Sequence, residues 1–300
     1  MKKLGKAISK SELEKLMADE VNIYAGTRAV VKASLPERLF TRMVNCDKLH
    51  PNPDDEFTDP RIGPNYQIVS SYVDALKLAR WNEDTPWRDD PVIIEKTFPS
   101  GYLLLNGHHR WAACKMFGEE KIRCHIVNLT QEQDIEEMLE RTQNVKRAAL
   151  DFDEVVFGPE AEELCEPPLG YFRRRTYKER LRLGIPGLFR FLSGRGYDIW
   201  VYSREYYSYD YIKHLFRLYH ARVDGVITGS GRKSTAFKEQ KEHRDKLFSD
   251  KYAETVHISM DSITRTMRDS RDFTEYPVSD TGASWYKEVM DTIGGFGSDA

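Results

Sequence analysis

Two short runs carry most of the chemistry this chain can offer. The first is Leu105-Asn106-Gly107-His108-His109-Arg110-Trp111, where an apolar strand pattern ends in Asn-Gly and a helical pattern starts at once. Glycine permits a tight turn and lets a ligand approach the backbone. The first amides of a helix lack partners, and the helix dipole adds partial positive charge there. His109 and Arg110 can add donors at the same spot, so the run has the makings of a phosphate site. The second run is Asp151-Phe152-Asp153, which ends the apolar stretch Ala148–Leu150. Two carboxylates two residues apart, at the mouth of a parallel sheet, suit one Mg²⁺ ion. Each run also has a plain structural reading, as a helix start with surface histidines and as a loop of solvated acids.

The elements that must position these runs can be read from periodicity. Residues 1–41 form an N-terminal extension with one amphipathic stretch and a capping-box pattern, Ser11-x-x-Glu14. A short strand over 42–49 enters a turn-rich loop, HPNPDDEFTDPRIGPN, and helical spacing follows over 66–81. Strands are expected at Val92–Glu95 and Tyr102–Leu105 around the turn Pro99-Ser100-Gly101. A helix should run from Gly107 to Gly118, and a strand over Lys121–Leu129. Residues 131–146 are highly charged and read as a helical linker. Beyond them, strands at Ala148–Leu150, Ile199–Tyr202, Val223–Ile227 and Thr255–Ile258 alternate with helices, the pattern of a parallel sheet with crossovers. The tail 269–300 is polar and reads as frayed, with one helix around 285–293.

With 300 residues, 40% hydrophobic and 12% aromatic, the chain can bury two cores of ordinary size. A net charge of −3 makes no general claim on nucleic acid or membrane, so any phosphate site must be local. The four cysteines form no Cys-x-x-Cys pair, which argues against zinc and for buried thiols in a reducing compartment. The N-terminus lacks an apolar signal core, and no run has the length of a membrane span, so a cytoplasmic protein is expected.

The segment YLLLNGHHRWAACKMFGEEKIRCHIVNL, with Asp47-Lys48-Leu49-His50-Pro51-Asn52-Pro53 before it, resembles the core of ParB/sulfiredoxin-like domains over residues 42–130. The resemblance implies a mixed α+β domain that binds nucleotide phosphates (ATP, ADP or CTP) through Gly107, His108, His109 and Arg110. Sulfiredoxins carry a cysteine where this chain has His108, so that activity is not expected. The His-His-Arg version is nearer to the free-serine-kinase branch, although Asn106 stands where that branch commonly has an acid. Glu37 and Glu56 are candidate acids upstream.

Residues 147–268 resemble the haloacid dehalogenase (HAD) superfamily in the order of DFDEVVF, GIPGLFRFLSGRGYDIWVYS, VDGVITGSGRK and ETVHISMDS. The resemblance implies a Rossmann-like α/β domain in which Asp151 is the nucleophile and Asp153 the general acid/base. Ser203 would hold a phosphate oxygen and Lys233, or else Lys238, would neutralise the phosphoryl group. Asp261 would join Asp151 and Asp153 around Mg²⁺, although Ser259-Met260 stand where acids usually follow the last strand. The span from Phe157 to Pro186 is too short for a large helical lid, so an open site is expected. Open sites suit phosphates on large substrates, such as a protein side chain or a nucleic-acid end. The basic run Arg173–Arg175 with Lys178, Arg180 and Arg182 would guide an anionic partner. The expected whole is a Mg²⁺-dependent phosphohydrolase or phosphotransferase fused to a nucleotide-binding module. A nucleotide- or DNA-binding regulator and a small-molecule kinase are the alternatives.

Overall fold

The computed structural model describes residues 5–27, 29–81, 90–159, 161–231, 235–270 and 272–296. The chain divides into two units, one of Met1–Asn128 with Lys233–Ala236 and the other of Leu129–Arg232 with Phe237–Ala300. Each is a mixed α/β unit built on its own six-stranded sheet.

The first unit opens with α1 (Lys10–Thr27). Its start is capped by Ser9 and Glu12, not by Ser11 and Glu14. The Ser9 amide donates to Glu12 Oε2 at 2.7 Å and the Glu12 amide to Ser9 Oγ at 3.3 Å. Strand β1 (Ala29–Val30) and helix α2 (Leu35–Arg38) follow. Strands β2 (Arg42–Asn45) and β3 (Leu49–Pro51) then lead to α3 (Tyr66–Trp81), β4 (Val92–Phe98) and β5 (Tyr102–Asn106). Helix α4 (His108–Phe117) and strand β6 (Lys121–Ile126) complete the unit. The sheet order is β2-β6-β4-β5-β3, with β1 beside β4. Its core gathers Val92, Ile94, Leu104, Trp111 and Ile126 with Leu13 and Met17 of α1. Residues 10–27 are therefore part of this unit and not an appended extension, because the stripe of α1 that includes Leu13 and Met17 has a core to cover.

The second unit begins with α5 (Glu132–Glu140), which occupies the span expected to be a linker. Its Ile135, Met138 and Leu139 are buried against Trp200, Ile227, Phe248 and Tyr252. Spacing of i, i+3 and i+4 puts these three on one face, and that face outweighs the helix's high charge. Next come β7 (Lys146–Asp151), α6 (Ile185–Gly194), β8 (Tyr197–Tyr202) and α7 (Tyr209–Leu218). Then follow β9 (Gly225–Ile227), α8 (Thr235–Lys251), β10 (Glu254–Ile258), β11 (Ser262–Met267), β12 (Phe273–Pro277) and α9 (Trp285–Gly295).

The sheet order is β12-β11-β10-β7-β8-β9. Strands β10, β7, β8 and β9 run parallel, as expected, but β11 and β12 add antiparallel neighbours and make the sheet mixed. The tail is not frayed over its described part, since Trp285, Val289 and Ile293 of α9 are fully buried in the main core. Beneath the sheet, the buried Asp198 carboxylate accepts from Thr142 Oγ1 at 2.5 Å, Asn144 Nδ2 at 2.7 Å and Tyr252 Oη at 2.9 Å. Lys251 Nζ donates to the carbonyls of Leu139 and Thr142, tying the end of α5 to α8. These bonds fix the start of the unit before β7 is reached.

If α5 belongs to this core, Ile135→Ala should cost roughly 2–4 kcal/mol in chemical denaturation of the full chain. A solvated linker would give under about 0.5 kcal/mol.

Candidate functional site

In the first unit the helix start is built as expected, but its side chains are engaged differently. Gly107 sits at φ 95°, and a Cβ there would meet Val92 Cγ1 at 2.5 Å. Only glycine satisfies both the left-handed turn and the close approach of β4. Gly118, at φ 84°, closes α4 as its C-cap.

His108 and His109 act as acceptors. His108 Nε2 receives the Asn52 amide at 3.3 Å, and His109 Nε2 receives the Asn65 amide at 3.1 Å. Phe57 packs on both rings, with centroids 5.3 and 5.1 Å away. The two histidines thus hold the ends of the acidic loop 52–65 against α4. Burial pushes His108 down to about 4, opposed by the Asp55 carboxylate whose Oδ1 lies 3.8 Å from Nδ1. Burial also lowers His109. Neutral rings accepting amide protons are not the phosphate donors that the run implied.

Arg110 is also occupied, donating to the carbonyl of Asp90 and pairing with its carboxylate, Nη1 to Oδ2, at 2.8 Å. The Asp90 side chain is largely exposed, so that partner can be exchanged for another anion. Glu37 is a capping acid, bound to Ser34 and to Lys96 Nζ at 2.9 Å, and these contacts hold it down to about 2. Glu56 lines a groove of about 1260 Å³ between α1 and the loop, together with Asp54, Asp55 and Asp59.

In the second unit the topology gathers Asp151, Asp153 and Ser203. The chain leaves β7 towards β8 and β9, and then crosses to β10 on the other side of β7. Open parallel sheets bind ligands outside the carboxyl ends of their strands at such a reversal. Asp151 is the last residue of β7, and Ser203 follows the last residue of β8. One π-turn, Phe152–Val156, comes straight after β7. Asp151 Oδ1 caps it by accepting the amides of Asp153 and Glu154, both at 2.9 Å. Arg182, buried, donates from Nε to the Val155 carbonyl at 2.9 Å and stabilises the same turn from behind.

The turn aims Asp153 at the end of β8. Its carboxylate accepts from Ser203 Oγ at 2.9 and 3.1 Å and from the Arg204 amide at 2.8 Å. Ser203 Oγ also accepts from the Glu205 amide at 3.0 Å, so its own proton is committed to Asp153. The Ser203 carbonyl is held by the amide and hydroxyl of Ser230, both at 2.9 Å. Burial raises Asp153 above the usual aspartate range, and the Asp151 charge adds to this against the opposing hydrogen bonds. Arg204, not foreseen, brings its guanidinium to 3.9 Å from Asp151 Oδ2 and 3.4 Å from Glu154 Oε1. Its place directly after Ser203 was the only signal.

Asp261 is not part of this group. Ile258 pairs with Leu150, so the chain reaches Ser259, not Asp261, level with Asp151. Asp261 lies two residues further, in the turn to β11, where its Oδ1 accepts from Ser259 Oγ at 2.9 Å. Among the described residues, the acidic and histidine side chains gathered within 4.8 Å are Glu132, Glu136 and His243, and the three aspartates are not. A hard cation that keeps most of its water needs only one or two carboxylates. Asp151 Oδ2, which accepts neither amide of the turn, fits that demand, and the register sets Ser259 level with Asp151 at the end of β10. Lys233 lies outside the described residues, as does the side chain of Lys238.

Residues 72–142 match the family model of the ParB N-terminal domain. The matched span holds the Gly107–Arg110 run and ends just past α5. No curated protein matches the chain. Among the described residues, no helix is long and apolar enough to cross a membrane.

The depressed His108 gives a signed pH dependence. The unfolded ring binds a proton below about 6.5, whereas the folded ring resists it until about 4. The stability it supplies is complete above pH 6.5 and is lost as the pH falls towards 4. Thermal unfolding of the full chain from pH 7.5 to 4.5 should show a loss that His108→Gln makes shallower. Parallel curves for the two proteins would contradict the neutral, buried assignment.

Proposed function

We propose that the second unit is a Mg²⁺-dependent phosphoryl-transfer site of the haloacid dehalogenase type, joined to a ParB-like module that recognises nucleotide. The observation that carries this reading is the Asp153 carboxyl. It is raised by burial and set two residues from a second carboxylate, the turn-capping Asp151, at the reversal point of a parallel sheet. Two acids in unlike surroundings divide into a base or nucleophile and a proton donor.

In the first step a carboxylate oxygen of Asp151 attacks phosphorus, and the bond from phosphorus to the leaving oxygen breaks. Asp153 in its protonated form, which burial favours, gives its proton to that leaving oxygen. In the second step water attacks the phosphorus of the aspartyl phosphate and yields a proton to Asp153. The bond to Asp151 breaks and both side chains return to their starting state. Ser203 and the Arg204 amide keep Asp153 aimed throughout, and the Arg204 guanidinium offsets charge beside Asp151. Bound Mg²⁺ would lower the repulsion between the incoming phosphate and Asp151.

The first unit supports a companion reading as a nucleotide- or DNA-binding module, favoured by the family match over residues 72–142. Nucleotide phosphates at the start of α4 would take the exposed Asp90 carboxylate's place on Arg110. A regulator in which only this module is active would retain nucleotide binding and lack turnover.

Two outcomes follow. With Mg²⁺, the purified chain should hydrolyse a chromogenic phosphate ester, and Asp151→Asn should abolish this without changing the unfolding midpoint by more than a few degrees. Asp153→Asn should lower turnover by roughly 10²–10⁴-fold, the usual contribution of a positioned acid. Turnover in Asp151→Asn equal to that of the unaltered chain would refute the site. Separately, calorimetry should detect a nucleotide whose binding Arg110→Ala weakens by about 1.5–3 kcal/mol. Asp90→Ala, which frees Arg110, should not weaken it, and a loss in that variant would contradict the exchange.

A further inference from the structure

The chain between the π-turn and α6 returns on itself. Phe157 bridges Leu181, Cys165 bridges Arg182, and the Gly158 amide donates to the Arg180 carbonyl at 2.8 Å. This pins both ends of a loop whose tip is Tyr171-Phe172-Arg173-Arg174-Arg175. All five tip residues are exposed, Phe172 to 82%. Among the described residues Phe172 is the most exposed large apolar side chain, and it packs edge-on against Tyr171 with ring centroids 5.6 Å apart. Arg174 and Arg175 lie over the Tyr171 ring, with guanidinium carbons 5.0 and 4.8 Å from its centroid. Arg175 also donates to the Tyr171 hydroxyl at 2.7 Å.

Behind the tip lies a hollow of about 630 Å³, lined by Tyr171, Arg174, Arg175, Tyr177, Lys178 and Arg180 among others. The acids on its walls are Glu162 and Glu179. Glu179 is bound by the Tyr211 hydroxyl, and Glu162 lies 3.8 Å from Arg180. The remaining charge is positive, on a chain whose net charge is negative. A run of packed rings leads from this hollow to the buried Phe152, which lies between Asp151 and Asp153 in the chain. Phe152, between Asp151 and Asp153, contacts Phe157 and Tyr207, Tyr207 stacks on Tyr211, and Tyr211 stacks on Tyr177, at centroid spacings of 3.7–6.3 Å.

We infer that this loop holds single-stranded nucleic acid and presents a phosphorylated end to Asp151, so that the phosphoryl-transfer site acts on polynucleotide phosphates. The inference rests on the proposed phosphoryl-transfer reading. An exposed ring such as Phe172 stacks on any base, and the arginines that follow it meet the phosphates between bases. A phosphopeptide would need main-chain partners from an extended strand edge, and the tip is a 3₁₀ turn, Arg173–Arg175, without one.

The test is fluorescence anisotropy of the full chain with a labelled short oligothymidylate that carries no terminal phosphate, so that binding is read apart from turnover. Hydrolysis of the small phosphate ester is measured on the same preparations. Binding should weaken as salt rises, with a log–log slope of roughly −2 for three phosphates neutralised. Phe172→Ala, and Arg174→Ala with Arg175→Ala, should each reduce affinity about tenfold or more while leaving ester hydrolysis unchanged. No binding at low salt, or binding that these variants do not alter, overturns the inference. So does a phosphoserine peptide whose binding, in place of the oligonucleotide's, depends on Arg174 and Arg175. Binding through the tip without ester hydrolysis would instead overturn the phosphoryl-transfer reading and leave the nucleic-acid surface standing.

Discussion

Everything proposed for the second unit depends on one capped turn. A strand ending in a carboxylate would ordinarily leave its next amides unpaired, and Asp151 satisfies two of them with one oxygen. That leaves its other oxygen for chemistry and turns the chain so that Asp153 faces the end of β8. The turn has its own demand, since a single π-turn leaves a carbonyl at Val155 that the buried Arg182 must satisfy. Arg182 is thus a positioning residue, and its neighbours Arg180 and Leu181 are the return leg of the aromatic loop. The geometry of the paired aspartates and the exposed aromatic and basic tip depend on the same hairpin.

The first unit uses a comparable economy at the start of α4. Phe57 is buried on two histidine rings, and those rings accept amides from both ends of the loop 52–65. A charged ring there would lose its acceptor nitrogen, which is why neutrality and loop position are linked. Arg110 remains the group able to meet an anion, because its partner Asp90 is exposed and replaceable. The acids of the loop would oppose a bare phosphate nearby, so a nucleotide bound here is expected to lie on the Arg110 side.

Much of this was legible in the residues. The strands leading into Asn106, Asp151 and Tyr202 and the helix that Gly118 closes follow from periodicity. Two spans expected as helices, in a linker and in a polar tail, are helices, but they belong to the core. Ile135, Met138 and Leu139 form a stripe, as do Trp285, Val289 and Ile293, and both stripes are core. The engagement of side chains was not legible. Whether a histidine donates or accepts depends on a loop 44 or 56 residues away in the chain. The displacement of Asp261, by contrast, was signalled by Ser259-Met260 directly after the last strand, and the register of β10 against β7 sets its extent.

The central claim is that phosphoryl groups pass through Asp151. Mass spectrometry of peptides from the full chain, quenched in acid during turnover of a phosphate ester with Mg²⁺, tests it most directly. The account predicts a single phosphoryl adduct on the peptide that contains Asp151, present in Asp153→Asn and absent in Asp151→Asn. Sustained Mg²⁺-dependent turnover with no adduct on that peptide, or with the adduct on another residue, would contradict it.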